Sequence, residues 1–253
     1  MPKGMVELRK FVDTHSHIVF GADDGAHSLK EAIDLLKLDQ DEGAYAVFAT
    51  PHYGRENGFA PDAAMVMQKF ELLKERAAEE VPEIRLYLGT EWYCARDLAD
   101  RVRRRDAFPM NGTDYVLTEF LEYGTVHESW EKIAGNLAEL QKGGFRPILA
   151  HPERYRALQE ERERARTLCE SGVLLQVNAY DLELNWHMRT LNLAQWMAKE
   201  RLISFIGSDM HGTRPGKHEP RLKEGIQWLY ENTDEEYADA VCFGNAAKLL
   251  GTE

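Results

Sequence analysis

The sequence predicts an α/β barrel of about seven parallel strands, and three observations favour this class. Short apolar runs alternate with helical periodicity along the 253 residues, a pattern typical of parallel strands joined by helices. Residues able to bind metal follow six of the seven runs, and a closed ring of strands brings such ends together. The length fits one α/β domain spanning 1–253. An open doubly wound sheet is the alternative, although its ligands come from two or three strands.

The first elements are predicted to be a strand, a helix and a second strand. The first apolar run begins at Phe11 and leads into residues 13–17. Ser28 and Glu31 have the spacing of a capping box, and Gly43 ends the helical pattern that follows. The run 44–49 is short and apolar and is predicted to be the second strand.

The remaining elements continue this alternation. Apolar residues at helical spacing indicate helices, and short apolar runs that end in polar residues indicate strands. Helices are predicted at 62–80, 96–105, 130–142 and a charged segment through 166, and strands at 84–88, 115–117, 147–150, 173–177 and 203–206.

Composition and charge exclude several classes of protein. The chain is 43% hydrophobic and 29% charged, which is ordinary for a globular protein. Its first 17 residues contain no apolar run of signal-peptide length, so we expect a cytoplasmic protein without an integral membrane segment. A net charge of −12 opposes binding to nucleic acid or to anionic lipid.

The three cysteines indicate no disulfide framework. Cys94, Cys169 and Cys242 are far apart and form no CxxC pair, so we interpret them as buried thiols in a reducing compartment. None of them begins the C-x5-R loop that cysteine-based phosphatases use.

Five histidines and four carboxylates fall almost entirely at the ends of the apolar runs. His15 and His17 are two residues apart, so both side chains of an extended strand point to one face. Asp209 and His211 repeat that spacing near the other end of the chain. The nine candidate ligands are His15, His17, Asp24, His52, Glu91, Glu119, His151, Asp209 and His211.

These residue types predict a cluster of metal ions. Imidazole and carboxylate together, without cysteine, favour Mn, Fe or Zn over Ca or Cu(I). Nine donors exceed what one ion requires, so two or three ions that share a carboxylate are expected. Such a cluster activates water and clamps both oxygens of an in-line displacement, which predicts hydrolysis of a phosphoester.

Eight motifs make the sequence resemble the polymerase and histidinol phosphatase (PHP) family. Within it, they are most similar to the bacterial manganese-dependent protein-tyrosine phosphatases of capsule and exopolysaccharide operons. The motifs are DTHSH at 13–17, DDG at 23–25, ATPH at 49–52, GTE at 89–91, LTEF at 117–120, AHPERY at 150–155, LLQVNA at 174–179 and GSDMHGTRP at 207–215.

The resemblance implies a distorted seven-stranded (β/α) barrel, TIM-like, with a three-ion site at the C-terminal ends of its strands. Manganese is the usual metal in this subgroup, with Fe, Zn or Mg at some sites. Carried over by position, the ligand sets are His15, His17, Glu91 and Asp209 for one ion, Glu91, Glu119 and His151 for a second, and Asp24, His52 and His211 for the third.

The resemblance also implies two substrate-binding arginines and a reaction. Arg154, in the HPER motif, would bind a phosphate oxygen, and Arg214 would be the second, although its loop after His211 is about two residues shorter than is common. The implied activity is hydrolysis of phosphotyrosine by metal-activated hydroxide, without a covalent phospho-enzyme. The implied partner is a bacterial tyrosine autokinase that controls polysaccharide export.

Two other functions remain open at this point. One is a phosphatase of the same fold acting on a small phosphomonoester such as histidinol phosphate. The other is a metal-containing regulatory or scaffold protein without catalysis.

Several residues outside the motifs are expected to be structural. His27, His127, His187 and His218 are predicted to be surface or structural histidines. The arginines within 96–105 are predicted to form a solvated helix face, with a docking patch for an acidic phosphotyrosine tail as the alternative.

Overall fold

The computed structural model describes residues 10–54, 58–123, 126–183, 187–214 and 217–251. The strands are β1 Phe11–Ser16, β2 Ala44–Ala49, β3 His52–Tyr53, β4 Arg85–Leu88, β5 Glu91–Tyr93, β6 Tyr115–Glu119, β7 Glu122–Tyr123, β8 Val126–His127, β9 Arg146–Ala150, β10 Leu174–Asn178 and β11 Phe205–Gly207. The α-helices are α1 Leu29–Glu42, α2 Ala63–Glu80, α3 Leu98–Arg104, α4 Trp130–Lys142, α5 Arg156–Glu160, α6 Glu163–Glu170, α7 Met188–Lys199, α8 Lys223–Asn232, α9 Glu235–Asp239 and α10 Ala247–Leu250. Shorter 3-10 turns are Met110–Gly112, Pro152–Arg154 and Ala179–Leu182, and Ala240–Gly244 is a π-helical turn.

Two parallel sheets form the centre of the fold. One has three strands in the order β1-β2-β4, and the other has six in the order β11-β10-β9-β6-β5-β3. The pair β7-β8 is a separate antiparallel hairpin. The prediction of an α/β fold with parallel strands is therefore confirmed.

The outer strands of the two sheets, β1 and β11, also lie side by side. Ser16 and Met210 form a parallel bridge, and the backbone N–H of His17 donates to the carbonyl of Met210 at 2.9 Å. The N–H of Asp209 donates to the carbonyl of His15 at 2.8 Å. These bonds bring the end of the first strand to the segment that follows the last.

Two predicted strands are each divided in two by a short break. Pro51 separates β2 from β3, and a proline cannot donate to a strand ladder. Gly89 separates β4 from β5 beside the side chain of Met110, where an added Cβ would lie 2.6 Å from its sulfur. The polar residues His52 and Glu91 therefore begin short second segments instead of following the strands as loop residues.

Helix α1 begins and ends where its sequence predicts. The Ser28 hydroxyl accepts the N–H of Glu31 at 3.2 Å, and Gly43 ends the helix with φ 119°, a conformation that favours glycine. Only half of the predicted capping box forms, because the Glu31 carboxylate accepts from the N–H of His27 at 2.8 Å. Glu31 thereby holds the loop that precedes the helix.

The core contains two apolar clusters. The larger one contains buried side chains from both the helices and the strands. The smaller one joins Val12, Phe48, Leu117, Ile148 and Phe205, which come from five different strands of the two sheets. Residues from so many strands meet only on the inner side of a curved arrangement. Since Leu117 is two residues before the end of its strand, the last residue of β6 lies above this apolar floor.

None of the described helices combines the length and the apolar character that crossing a bilayer requires.

The buried acid Asp39 in α1 is expected to weaken folding as pH rises. Burial, together with the carboxyl of Asp13, raises the pKa of Asp39 well above its usual value of 3.8. Asp39 therefore holds its proton to a higher pH in the folded protein than in the unfolded chain. Stability from a raised carboxyl pKa is present below the unfolded pKa and is lost as pH rises. We expect Asp39→Asn to be more stable than wild type at pH 8 by at least about 1 kcal/mol.

Urea unfolding at pH 5, 6.5 and 8 measures this difference, which should shrink towards pH 5. Asp34→Asn is the matched control, since Asp34 lies in the same helix, pairs with Lys30 and is partly exposed. Equal pH dependence of Asp39→Asn and wild type would show that Asp39 is ionised in the folded protein.

Candidate metal centre

All nine predicted ligands lie together at the C-terminal edge of the sheets. Most of their side chains are buried, and that of Asp24 is the most exposed, at 41%. His15 and Glu119 lie at the ends of strands, and His52 and Glu91 begin the short segments β3 and β5. The remaining ligands follow strands in loops and turns, namely His17, Asp24, His151, Asp209 and His211.

The carboxylate of Glu91 is the centre of the cluster. Its Oε2 lies 3.3 Å from Nε2 of both His15 and His17 and 2.8 Å from Nδ1 of His52. Its Oε1 lies 2.8 Å from Nε2 of His151. Glu91 Oε2 and His52 Nδ1 are buried atoms that make no hydrogen bond of acceptable geometry within the described structure. Four imidazoles thus surround one carboxylate, an arrangement that suits a shared metal ligand.

Asp209 faces the same imidazoles from the other side. Its Oδ1 lies 3.3 Å from Nε2 of His17, 3.6 Å from Nε2 of His15 and 3.6 Å from Nδ1 of His211. Its Oδ2 accepts from the amide of Asn178 at 3.0 Å. Asp209 therefore reaches His15 and His17 as the resemblance implies.

His52 lies between the remaining two acids. Its Nε2 is 3.7 Å from Oδ1 of Asp24, and its Nδ1 is 3.1 Å from Oε1 of Glu119. The Nε2 of His211 also lies 3.7 Å from Oδ1 of Asp24. Asp24 thus contacts both His52 and His211. Glu119, which the resemblance groups with Glu91 and His151, also contacts His52.

Three groups of ligand atoms are close enough to hold ions. In each group the atoms lie within 4.8 Å of one another. His211 is the least buried member, with its side chain 12% exposed. The groups are His15, His17 and Glu91; His52, Glu91 and Glu119; and His17, His52 and His211.

The electrostatics of the cluster favour bound cations. Although burial opposes it, the carboxylates of Glu119 and Glu91 raise the pKa of His52 to about 9. Burial likewise opposes ionisation of Glu91, yet His15 and His52 hold its pKa well below the usual value. Burial and the neighbouring ring of His17 lower the pKa of His211 to about 3. Carboxylates that stabilise protons on adjacent imidazoles would equally stabilise metal cations bound to those imidazoles in place of the protons.

Sequence reasoning missed three side chains that orient the ligands. Gln176 Oε1 lies 2.8 Å from Nδ1 of His15, and Asp23 Oδ2 lies 2.7 Å from Nδ1 of His17. Asn178 Oδ1 accepts from the amide of Gln176 at 3.1 Å. Such partners fix the orientation of each ring. All three residues lie in the DDG and LLQVNA motifs. The available signal was that Gln176 and Asn178 are two residues apart in β10, so their side chains point to the same face.

Two of the ligands have strained backbones. His151 has φ 37° and Asp209 has φ 53°, both in the left-handed region that is unusual for residues other than glycine. The N–H of His151 donates to the carbonyl of Gln176 at 2.8 Å. Strain of this kind costs about 1–3 kcal/mol and persists where surrounding contacts determine it, as at functional sites.

Arg154 lies at the edge of the cluster, beside Asp209. It donates from Nη1 to Oδ2 of Asp209 at 2.9 Å and from Nη2 to the hydroxyl of Tyr180. Its Nε lies 3.5 Å from Oδ2 of the buried Asp181. These contacts hold the guanidinium beside the ligands while leaving its side chain 30% exposed.

Arg214 lies elsewhere. It donates from Nε to Oε1 of Glu31 and from Nη2 to the carbonyl of Gly25, both at 2.8 Å. It does not line the pocket described next, in contrast to Arg154.

A cavity of about 590 Å³ opens above the cluster. Phe59, Phe120, Leu121 and Val126 form apolar parts of its wall, and the ring of Phe59 stacks on that of His52 with centroids 5.5 Å apart. The polar and charged residues that line it are Asp24, His52, Glu119, Glu122, His151, Arg154, Asp209, His211, Lys217 and His218.

Of the residues expected to be structural, His218 lines this pocket and stacks on Tyr180 with centroids 5.4 Å apart. His127 pairs with Glu122 within the β7-β8 hairpin. The arginines of α3 pair with neighbouring acids, for example Arg101 with Asp97, as expected for a solvated face.

Comparison with known proteins agrees with this geometry. The family model "Capsular polysaccharide synthesis, CpsB/CapC" matches residues 11–251. The chain is 28% identical over 246 residues to the tyrosine-protein phosphatase CpsB of Streptococcus agalactiae, covering 94% of this chain and 98% of that protein. It is 31% identical over 204 residues to the putative tyrosine-protein phosphatase CapC of Staphylococcus aureus, covering 79% of this chain and 76% of that protein.

Solved structures show the same fold. A structure from work on YwqE of Bacillus subtilis and CpsB of Streptococcus pneumoniae, called unique metal-dependent tyrosine phosphatases, superposes with a TM-score of 0.78 at 23% identity. It covers 90% of this chain and 89% of that one. Dihydropyrimidinase from Brevibacillus agri gives a TM-score of 0.59 at 10% identity, covering 96% and 71%. The chain thus shares its overall fold with both structures.

Proposed function

Because the chain belongs to the CpsB/CapC family of capsular polysaccharide synthesis, we propose that it is a metal-dependent protein-tyrosine phosphatase. The observation that carries this function is the buried Glu91 carboxylate, which contacts four imidazoles. Two of those imidazoles, His52 and His151, line a partly apolar pocket. Relatives that match over nearly all of the chain are named as tyrosine-protein phosphatases.

We propose that the nine ligands hold three divalent ions, with manganese as the principal metal. The buried atoms Glu91 Oε2 and His52 Nδ1 support this, since neither makes a hydrogen bond of acceptable geometry to any described residue. A donor set of imidazole and carboxylate supports it as well. When bound, such ions lower the pKa of a water molecule and neutralise charge on a phosphate. The proposed ligands are His15, His17, Asp24, His52, Glu91, Glu119, His151, Asp209 and His211.

Arg154 is proposed to bind a non-bridging oxygen of the substrate phosphate. Asp209, Tyr180 and Asp181 hold its planar guanidinium at the pocket edge, so little orientation is lost when phosphate binds. Charge on the equatorial oxygens grows in the transition state, and a fixed guanidinium stabilises it.

The wall of the pocket supports an aryl phosphate as the substrate. Phe59, Phe120, Leu121 and Val126 offer apolar surface to a phenyl ring beside the phosphate site. A small polar phosphomonoester such as histidinol phosphate would leave this surface uncovered. The proposed physiological substrate is a phosphotyrosine protein, a tyrosine autokinase of polysaccharide export, and the proposed location is the cytoplasm.

The thiols are poor candidates for a nucleophile. Burial raises the pKa of Cys94 and of Cys242, and it raises that of Cys169 to about 11. None of the three lines the described pocket. This supports attack by water or hydroxide without a covalent phospho-enzyme.

For the architecture, we propose one domain over 1–253 with a distorted barrel of seven strands. This count treats β2 with β3, and β4 with β5, as interrupted single strands. The bridge between Ser16 and Met210 supports closure of the ring.

Metal removal tests the function. We expect chelation to abolish hydrolysis of a phosphotyrosine peptide and manganese to restore it, with three ions per chain by elemental analysis. Treating the native, metal-loaded protein with a thiol-alkylating reagent should leave turnover intact. Faster hydrolysis of histidinol phosphate than of the peptide would favour the small-substrate alternative. Undetectable hydrolysis of both in excess manganese would favour a non-catalytic role.

A further inference from the structure

Two cationic side chains between His211 and His218, Arg214 and Lys217, contact different parts of the site. The backbone N–H groups of His211 and Gly212 both donate to the carbonyl of His218, at 2.8 and 3.2 Å, and close the base of the loop. The N–H of Lys217 donates to the carbonyl of Arg214 at 3.0 Å. The backbones of Arg214 and Lys217 are therefore in direct contact.

Arg214 is committed to contacts that join this loop to helix α1. Its Nε and Nη2 donate to Glu31 and to the carbonyl of Gly25, and Glu31 also accepts the N–H of His27. A Cβ added at Gly212 would lie 2.7 Å from the Glu31 carboxylate, so the loop and the helix start are closely packed. We call the ion pair of Arg214 with Glu31 the clamp, because it joins this loop to the first turn of helix α1.

Lys217 lies on the pocket side of the same loop. Its Nζ donates to Oδ2 of Asp24 at 3.0 Å, and its side chain is 25% exposed. Asp24, His211 and Asp209 form a row of contacts, at 3.7 and 3.6 Å. Lys217 contacts Asp24 at one end of this row, and Arg154 contacts Asp209 at the other. These two are the only lysine or arginine side chains among the described residues that line the pocket.

We propose that Lys217, rather than Arg214, is the second cationic group that binds the substrate phosphate. This inference rests on the proposed phosphatase function. A phosphate dianion that enters the pocket would meet guanidinium at one end of the row and ammonium at the other. Lysine is a compact point charge on a flexible stem, so it can turn from Asp24 towards a bound phosphate.

The test compares five variants at saturating manganese with metal content matched by elemental analysis. The readouts are kcat and KM for a phosphotyrosine peptide and the Kd of inorganic phosphate by calorimetry. We expect Lys217→Gln to raise both KM and the phosphate Kd about tenfold. Lys217→Arg should retain most of the binding. Lys223→Gln, which removes the same charge at the exposed start of α8, should change neither constant.

Variants of the clamp residues Arg214 and Glu31 distinguish the role of Arg214 from that of Lys217. Arg214→Gln and Glu31→Gln should lower the melting temperature by similar amounts, because they break one ion pair. If Arg214 instead bound phosphate, Glu31→Gln would free it and tighten phosphate binding. That result, or a larger loss of phosphate binding in Arg214→Gln than in Lys217→Gln, overturns the proposal.

The proposed phosphatase function and the proposed role of Lys217 can be contradicted separately. A wild-type protein that hydrolyses no phosphomonoester contradicts the phosphatase function, while the phosphate titration still tests Lys217. A wild-type protein that is active and a Lys217→Gln variant that binds phosphate normally would contradict the role of Lys217 alone.

Discussion

Replacing Glu91 with glutamine is expected to lower turnover of a phosphotyrosine peptide at least about a hundredfold with little change in fold. The two carboxylate oxygens contact His15, His17, His52 and His151, and their negative charge attracts the cations that these imidazoles would also bind. An amide of the same shape keeps the packing and removes the charge that two ions would share. The steady-state rate in excess manganese and the metal content per chain are the two measurements.

The control for this variant is Glu139→Gln, an equal change of charge on an exposed residue of α4 that pairs with Lys142. Circular dichroism should be the same for both variants and wild type. A Glu91→Gln protein that retains full activity and full metal content would show that Glu91 is not a shared ligand.

Replacing Arg154 with glutamine is expected to lower kcat/KM by about a hundredfold to a thousandfold. The loss has two parts, since the guanidinium binds phosphate in the ground state and stabilises charge that develops on its oxygens. The metal content should stay at the wild-type level, because Asp209 keeps its contacts with His15 and His17. Rates with the phosphotyrosine peptide and elemental analysis of the same sample test both statements.

Arg156→Gln provides the matched control for Arg154. Arg156 lies two positions later, is about half exposed and pairs with Glu160. Arg154→Lys should recover only part of the activity, because an ammonium cannot contact Asp209, Tyr180 and a phosphate in one plane. If Arg154→Gln behaved like Arg156→Gln, Arg154 would have no part in phosphate binding.

Much of the fold followed from local pattern. Helix α1 was predicted from Ser28 and Gly43, and the structure shows both caps. Strand β2 was predicted at the residues where it is found, since an apolar run between turn signals suits a buried parallel strand. The divisions at Pro51 and Gly89 were not predicted, because Gly89 approaches Met110 from a distant part of the chain.

The ligand positions followed from topology, since the carboxyl ends of parallel strands share one edge. The contacts between individual ligands did not follow from topology. His52 lies near Glu119 as well as Asp24, and Gln176 orients His15 across 161 positions of sequence. Such contacts depend on register between strands and on ring orientation, which no spacing in the sequence encodes.

The sequence by itself determined the alternation of strands and helices and the set of residues able to bind metal, because both depend on local periodicity and residue type. Only the tertiary structure decided which cation faces the pocket. Arg214 and Lys217 lie three residues apart in one loop, and their directions depend on Glu31 and Asp24, which come from the opposite end of the chain. A contact between such distant residues is a product of packing, so it becomes visible only in the folded protein.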